Sequence, residues 1–241
     1  MATVRLDKYL ADLGIGSRRE VKDWIRDGRV RIDGQLCCKP EQKLDTDSQS
    51  LTLDGEALTY KKFRYFLMDK PVGVVTATED REQNTVLDLL PPELKKLGLF
   101  PVGRLDKDTS GLLLLTNDGE FAHRVISPKS GVEKRYYAGI EGEVTDEDVK
   151  VFASGLSLRD GTECLPAKLA NLGPGRCLVT VTEGKYHQVK RMLAARGKPV
   201  QMLRRLAVGE LVLPEGMEPG SVRELEESDL CKLFRRHDGE N

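Results

Sequence analysis

No run of residues approaches the roughly 18 consecutive apolar positions that a membrane span needs. The first residues, MATVRLDKYLADLG, mix charge with apolar side chains and lack the apolar block of a secretory signal. The chain is therefore read as cytoplasmic, with no membrane partner. The five cysteines (Cys37, Cys38, Cys164, Cys177 and Cys231) are odd in number and include no CxxC pair, so neither a disulfide framework nor a zinc site is expected. His123, His187 and His237 have no metal-ligand spacing. No Gly-x-Ser-x-Gly elbow, Walker loop or dinucleotide fingerprint occurs, and GVVTAT holds too few glycines to cradle phosphates. No metal and no obligatory cofactor are expected. A basic excess is lacking too: the net charge is −1. That argues against a general, sequence-blind nucleic-acid binder. A locally basic face with acids elsewhere would still suit RNA.

Hydrophobic residues make up 39% and charged residues 32% of the 241 positions, enough apolar material for a core. The length allows one large domain or two smaller ones. Within residues 5 to 13, Leu6, Leu10 and Leu13 recur at helical spacing, and Gly14 and Gly16 then break the chain. Ser17, with Glu20 three residues on, forms a capping box for a second helix that should stop at Gly28. Val21, Trp24 and Ile25 share its core side. Arg18, Lys22, Arg26 and then Arg29 form a basic stripe, with Arg19 beside it. Residues 1 to 31 hold eight Lys or Arg against five Asp or Glu, a net of +3. The stripe is either a solvated face or a surface for RNA phosphates. Asp33-Gly34 is a tight-turn pair between short strands, and Asp54-Gly55 follows a strand at Ser50 to Leu53. The pattern RLDKYLADLGIGSRREVKDWIRDGRVRIDG resembles the small alpha-L RNA-binding domain over roughly residues 3 to 56. That resemblance implies RNA binding and no chemistry.

A short connector, 57 to 63, leads to a second domain. RYFLMDKPVGVVTAT reads as a strand, a turn at Lys70-Pro71 and a second strand, and Thr85 to Leu90 as a short helix. Phe100 to Val102 and the LLLLT run are strands, Glu120 to Ile126 a helix, and 135 to 140 a strand. Thr145 caps a helix ending at Gly155, with Asp148 in the box position. Strands near 165–172 and 177–182, a helix from Tyr186 to Arg196, a strand from Val200 to Leu213 and a helix from Glu226 to Arg236 complete the chain. Helices and strands mix without regular alternation, which indicates an α+β domain with a mainly antiparallel sheet. The expected domains are 1–58 and 62–241.

Two segments could carry chemistry. In GRLDKDTSGLLLLTNDG, 103 to 119, a charged, hydroxyl-rich loop directly precedes a strand that must be buried. Asp106 and Asp108 could equally be capping a polar turn. In EGKYHQVKRM, 183 to 192, His187, Lys190 and Arg191 share one face of a helix start, and Val189, Met192 and Leu193 form the core side. A solvated charged face is the plain alternative.

KPVGVVTAT near residue 70, GRLDKDTSGLLLLTNDG, EKRYYAGI at 133 to 140 and EGKYHQVKRM stand in order behind the alpha-L pattern. Together they resemble the RsuA-type family of ribosomal RNA pseudouridine synthases, across essentially the whole chain. The resemblance implies that Asp106 is the catalytic aspartate, that Tyr136 packs against the target base and that Lys190 pairs with the aspartate. It further implies that Arg104 helps occupy the space left by the flipped nucleotide. Arg18, Arg19, Lys22, Arg26, Arg29, His187 and Arg191 are the expected RNA contacts. The partner implied is ribosomal RNA, within a small-subunit assembly intermediate, met by a monomeric enzyme.

Such an enzyme must flip the uridine out of its stack, at a cost of a few kcal/mol. A tyrosine ring supports the extruded base, worth roughly 1–3 kcal/mol. A carboxylate then serves either as nucleophile at the anomeric carbon or as base toward a neighbouring proton, and an adjacent cation favours its charged form. Gln83-Asn84 stand before Thr85-Val86, where large-subunit relatives tend to carry a Gly-Arg-Pro-like insert, so a small-subunit target is expected. The rivals are a large-subunit synthase, a non-catalytic ribosome-assembly protein and a hydrolase built on His187 and an aspartate.

Overall fold

The computed structural model describes residues 3–46, 48–58 and 63–234. The chain divides into two compact units, Met1–Lys62 and Phe63–Asn241. No helix among the described residues is long and apolar enough to cross a membrane.

The first unit contains β1 (Thr3–Arg5), α1 (Leu6–Asp12), α2 (Arg18–Arg26), β2 (Val30–Ile32), β3 (Gln35–Leu36), β4 (Lys43–Asp45), β5 (Leu51–Leu53) and β6 (Glu56–Ala57). Ser17 caps α2 reciprocally: its hydroxyl accepts from the Glu20 amide, and the Glu20 carboxylate accepts from the Ser17 amide at 2.7 Å. Asp33-Gly34 and Asp54-Gly55 both take positive φ at each position (50° and 78°, 52° and 87°). That is the twist-matched hairpin turn this dipeptide favours, and it closes β2–β3 and β5–β6 in the sheet order β3-β2-β5-β6. Leu6, Leu10, Val21, Ile25, Val30 and Leu51 form this unit's own core.

The second unit contains β7 (Tyr65–Lys70), α3 (Pro92–Lys95), β8 (Phe100–Val102), β9 (Thr109–Thr116), α4 (Gly119–Ile126), β10 (Lys134–Ile140), α5 (Asp146–Ser154), β11 (Leu156–Ser157) and β12 (Glu163–Cys164). It continues with β13 (Lys168–Asn171), β14 (Arg176–Val181), α6 (Gln188–Ala195), β15 (Val200–Val208), β16 (Leu211–Val212), β17 (Val222–Glu224) and α7 (Glu227–Phe234). Its main sheet runs β13-β14-β10-β15-β9-β7-β17, with β16 beside β15 and β8 beside β9. Every pairing between these strands is antiparallel except β9–β15, where Thr109–Gly111 lie parallel to Leu203–Arg205. This is an α+β fold with an antiparallel-dominated sheet. β9 is apolar on both faces because both are covered. Leu112 and Leu114 pack with Phe121 and Val125 of α4, while Leu113 and Leu115 pack with Val86, Leu90 and Leu99. Gly111 has φ +103, and a Cβ there would overlap the Arg205 backbone, so only glycine permits the parallel strands to approach.

Three local expectations need correction. The second strand after Lys70-Pro71 is reduced to a single bridge, Val75 to Thr85. Thr85 to Leu90 is not helical, because the Asp88 carboxylate accepts from the Thr85 amide and hydroxyl and closes a turn instead; the helix forms one turn later, at α3. Finally, α6 starts at Gln188, not Tyr186, because His187 is left-handed (φ 47, ψ 34) and stands outside the helix. The expected end of the last helix at 235–236, His237 and part of the connector lie outside the described residues.

Candidate active site

Asp106 sits on the loop that feeds β9, and segment 70–76 holds that loop by its backbone. Lys70, fully buried, donates from Nζ to the carbonyls of Pro71 (3.0 Å), Asp106 (3.1 Å) and Thr109 (2.9 Å). The Thr76 hydroxyl donates to the Leu105 carbonyl at 2.7 Å and accepts from the Leu105 amide. The Gly73 amide donates to the Lys107 carbonyl at 2.8 Å. Burial pushes the Lys70 ammonium down to about 8, since three neutral carbonyls replace water only in part.

α6 and the residue before it bring an ammonium and an imidazole to the Asp106 carboxylate. Lys190 Nζ lies 2.9 Å from Asp106 Oδ2 and 2.5 Å from Asp108 Oδ1, and His187 Nε2 lies 3.3 Å from Asp106 Oδ1. Burial alone would lower the Lys190 pKa, but hydrogen bonds to Asp108 and Asp106 outweigh it and the net shift is upward. The same hydrogen bond holds Asp108 below the usual carboxylate range. Lys190 therefore stays charged and straps two carboxylates, one of them largely exposed. The left-handed turn at His187 stacks its ring on Tyr186, with centroids 3.9 Å apart.

Asp106, Asp108, Tyr186 and His187 border a cleft of about 990 Å³ that runs past Arg104 to Tyr136, Lys134 and Arg205. Tyr136 comes from β10, directly opposite Arg205 of β15. Its hydroxyl lies 3.5 Å from the Arg205 guanidinium. Arg104 is exposed at the rim. Arg191 turns away from Asp106 and pairs with Asp160. In the first unit, Arg18 and Arg19 are exposed and Lys22 half-buried. The far end of the stripe is internally matched: Arg26 pairs with Asp23 at 3.6 Å, and Arg29 grips Asp54 while lying over Trp24. Reading the sequence missed Lys70, Asp108, Lys134 and Arg205 as members of the site. Lys70 left one signal, its place with Asp69 at the end of the apolar run FLM; Lys134 and Arg205 left none apart from their places in strands.

A carboxylate pinned by its backbone, flanked by a fixed ammonium and facing a tyrosine across a cleft, suits an enzyme acting on the sugar and base of a nucleotide. Residues 64–195 match the family model for RNA pseudouridylate synthase, and residues 4–49 that for the S4 domain. The chain is 45% identical over 234 residues to an uncharacterized RNA pseudouridine synthase of Bacillus subtilis, covering 95% of this chain and 98% of the relative. It is 38% identical to ribosomal small subunit pseudouridine synthase A of Pseudomonas aeruginosa, covering 95% and 100%. A crystal structure of a pseudouridylate synthase superposes with a TM-score of 0.67 at 35% identity, covering 95% of this chain and 99% of that one. The chain belongs to the RNA pseudouridylate synthase family and carries an S4 domain at its N-terminus. It is an isomerase that converts uridine to pseudouridine.

Proposed function

We propose that this protein isomerises one uridine of small-subunit (16S) ribosomal RNA, with Asp106 as the reacting carboxylate. The observation that carries the reading is the Lys190–Asp106 pair at 2.9 Å beside the Tyr136 cleft. Tyr136 supports the flipped base and Lys190 holds the carboxylate in place. Arg104, at the rim, fills the gap left in the stack. The S4 domain grips neighbouring phosphates through Arg18, Arg19 and Lys22, and His187 and Arg191 lie where the strand enters. The small-subunit target draws support from the names of relatives, several of them 37–39% identical over nearly the whole chain. The enzyme works as a monomer in the cytoplasm, on a partly assembled subunit, because a looped or bulged uridine must be reachable. The test is to incubate it with unmodified small- and large-subunit RNA, naked or partly assembled, and map pseudouridine by chemical labelling and primer stops. One new site in the small-subunit RNA supports the reading. A site only in large-subunit RNA overturns the target, and no site in either RNA favours a non-catalytic assembly protein.

A further inference from the structure

Two buried lysines in the second unit differ in one respect. Lys70 saturates its ammonium with three carbonyls. Lys134, 7% exposed, has a single acceptor, the Thr182 carbonyl at 3.4 Å, although an ammonium carries three donors. Lys134 and Tyr136 are two residues apart on β10, so both side chains leave the same face of the strand, and both line the cleft. Arg205, 5% exposed, lines it with them. Its guanidinium donates to the Leu112 carbonyl at 2.7 Å and to the Tyr136 hydroxyl. No carboxylate among the described residues pairs with either cation. The acids of the cleft are engaged elsewhere: Asp106 and Asp108 with Lys190, and Glu183 with the Leu165 amide, Gln188 and Lys185. Two adjacent buried cations without a counter-charge cost stability. Burial, aided by Arg205, pushes the Lys134 ammonium down to about 8; it remains charged at neutral pH. An uncompensated pair of this kind is arranged for a negative charge that arrives with the substrate.

We propose that Lys134 and Arg205 form a cationic subsite that stabilises the negative charge on the detached uracil between bond cleavage and rejoining. This rests on the reading of the Asp106 cleft as the isomerisation site. Cleavage breaks the C1′–N1 bond and leaves its electron pair on the uracil, spread over N1, O2 and O4. C1′ is meanwhile either bonded to an Asp106 oxygen or made part of a double bond by loss of the C2′ proton to that oxygen. The ring turns, C5 bonds to C1′, the Asp106 bond breaks or the C2′ proton returns, the C5 proton leaves and N1 gains one. Nothing is oxidised or consumed. The cleft that these two cations line also has apolar wall residues, Val102, Leu114, Val125 and Val208. A flat base fits such walls, whereas a phosphodiester would have to shed its hydration on entry. Fixed cations that are themselves buried act most strongly on charge that develops beside them.

The test compares the full-length wild type with Lys134→Met and Lys134→Arg on the same RNA. Lys134→Met should lower kcat by about 100-fold or more while KM stays within about three-fold, and Lys134→Arg should recover part of the loss. The melting temperature of Lys134→Met should hold or rise, because an uncompensated buried charge has been removed. The RNA-free enzyme should bind 5-nitrouracil, which is anionic at neutral pH, about ten-fold more tightly than neutral uracil, an advantage of about 1.4 kcal/mol that Lys134→Met abolishes. Equal affinity for the two pyrimidines overturns the proposal. So does a raised KM with a shallower salt slope, which marks a phosphate contact, or a lowered melting temperature with unchanged kcat, which marks a structural lysine. If the wild type forms no pseudouridine in any RNA, the functional reading fails, and the pyrimidine comparison still decides the subsite.

Discussion

Asp106 is held twice, by its own carbonyl through Lys70 and by its carboxylate through Lys190. The first fixes the loop and the second the side chain, so charge and position separate in mutants. Asp106→Asn keeps the shape and should leave the fold intact while turnover falls by many orders of magnitude, since a covalent or proton-transfer role has no substitute. Substantial pseudouridine formation by the purified, folded variant would remove Asp106 from the reaction. Lys190→Met leaves Asp106 and Asp108 facing each other without their shared cation. Activity should drop sharply, whereas Lys190→Arg should keep part of it because the charge survives the change of shape. Steady-state rates for the two variants give the answer, and similar losses in both would mean the ion pair is not what Lys190 supplies.

At the level of elements, α2 carries a surface whose basic character was legible from spacing, and the tertiary structure divides it. Arg26 and Arg29 answer acids within the domain, whereas Arg18, Arg19 and Lys22 form no ion pair among the described residues. The unpaired end is the part available to phosphates. Replacing Arg18, Arg19 and Lys22 together by Ala should weaken RNA affinity and make the dependence of log affinity on log salt shallower by about 2–3, close to one unit for each lost phosphate contact. The rate at saturating RNA should change little. Filter binding over a range of salt measures the slope, and an unchanged slope returns the stripe to a solvated face. α6 shows the converse. The spacing of His187, Lys190 and Arg191 suggests one cationic face, but the left-handed His187 and the Arg191–Asp160 pair split it, and only His187 and Lys190 reach Asp106.

Across the whole molecule, the buried lysines of the second unit set a pH dependence. Lys70 and Lys134 are both lowered from 10.5 to about 8 by burial. Below about pH 8 both are charged folded and unfolded, and the full cost of burying them is present. Between about 8 and 10.5 the folded state sheds these protons first and the unfolded chain binds more, so their contribution makes the protein more stable as pH rises. Denaturant midpoints of wild type and Lys134→Met across that window should converge as pH rises, the variant holding its advantage only at the low end. A constant difference would show that Lys134 does not titrate with folding.

What the sequence determined by itself is what short stretches encode. The capping boxes at Ser17 and Thr145, the two Asp-Gly turns and the doubly buried LLLLT strand each rest on bonds or burial within a few residues. The ordered segments around 70, 106, 136 and 190, set behind an RNA-binding pattern, were enough to indicate the family and its reaction. Only the tertiary structure decided which groups meet. The antiparallel β10–β15 pairing sets Arg205 opposite Tyr136 with Lys134 near them, and the parallel β9–β15 joint, which Gly111 permits, lays β9 against the other side of β15. The sheet lays Lys70, 36 residues before Asp106, under its loop, and α6 delivers Lys190 across a separation of 84. Such contacts depend on strand register and on burial summed over the whole core, which no local pattern records. Whether a buried lysine is saturated, like Lys70, or left waiting for a charge, like Lys134, depends on carbonyls contributed by distant segments.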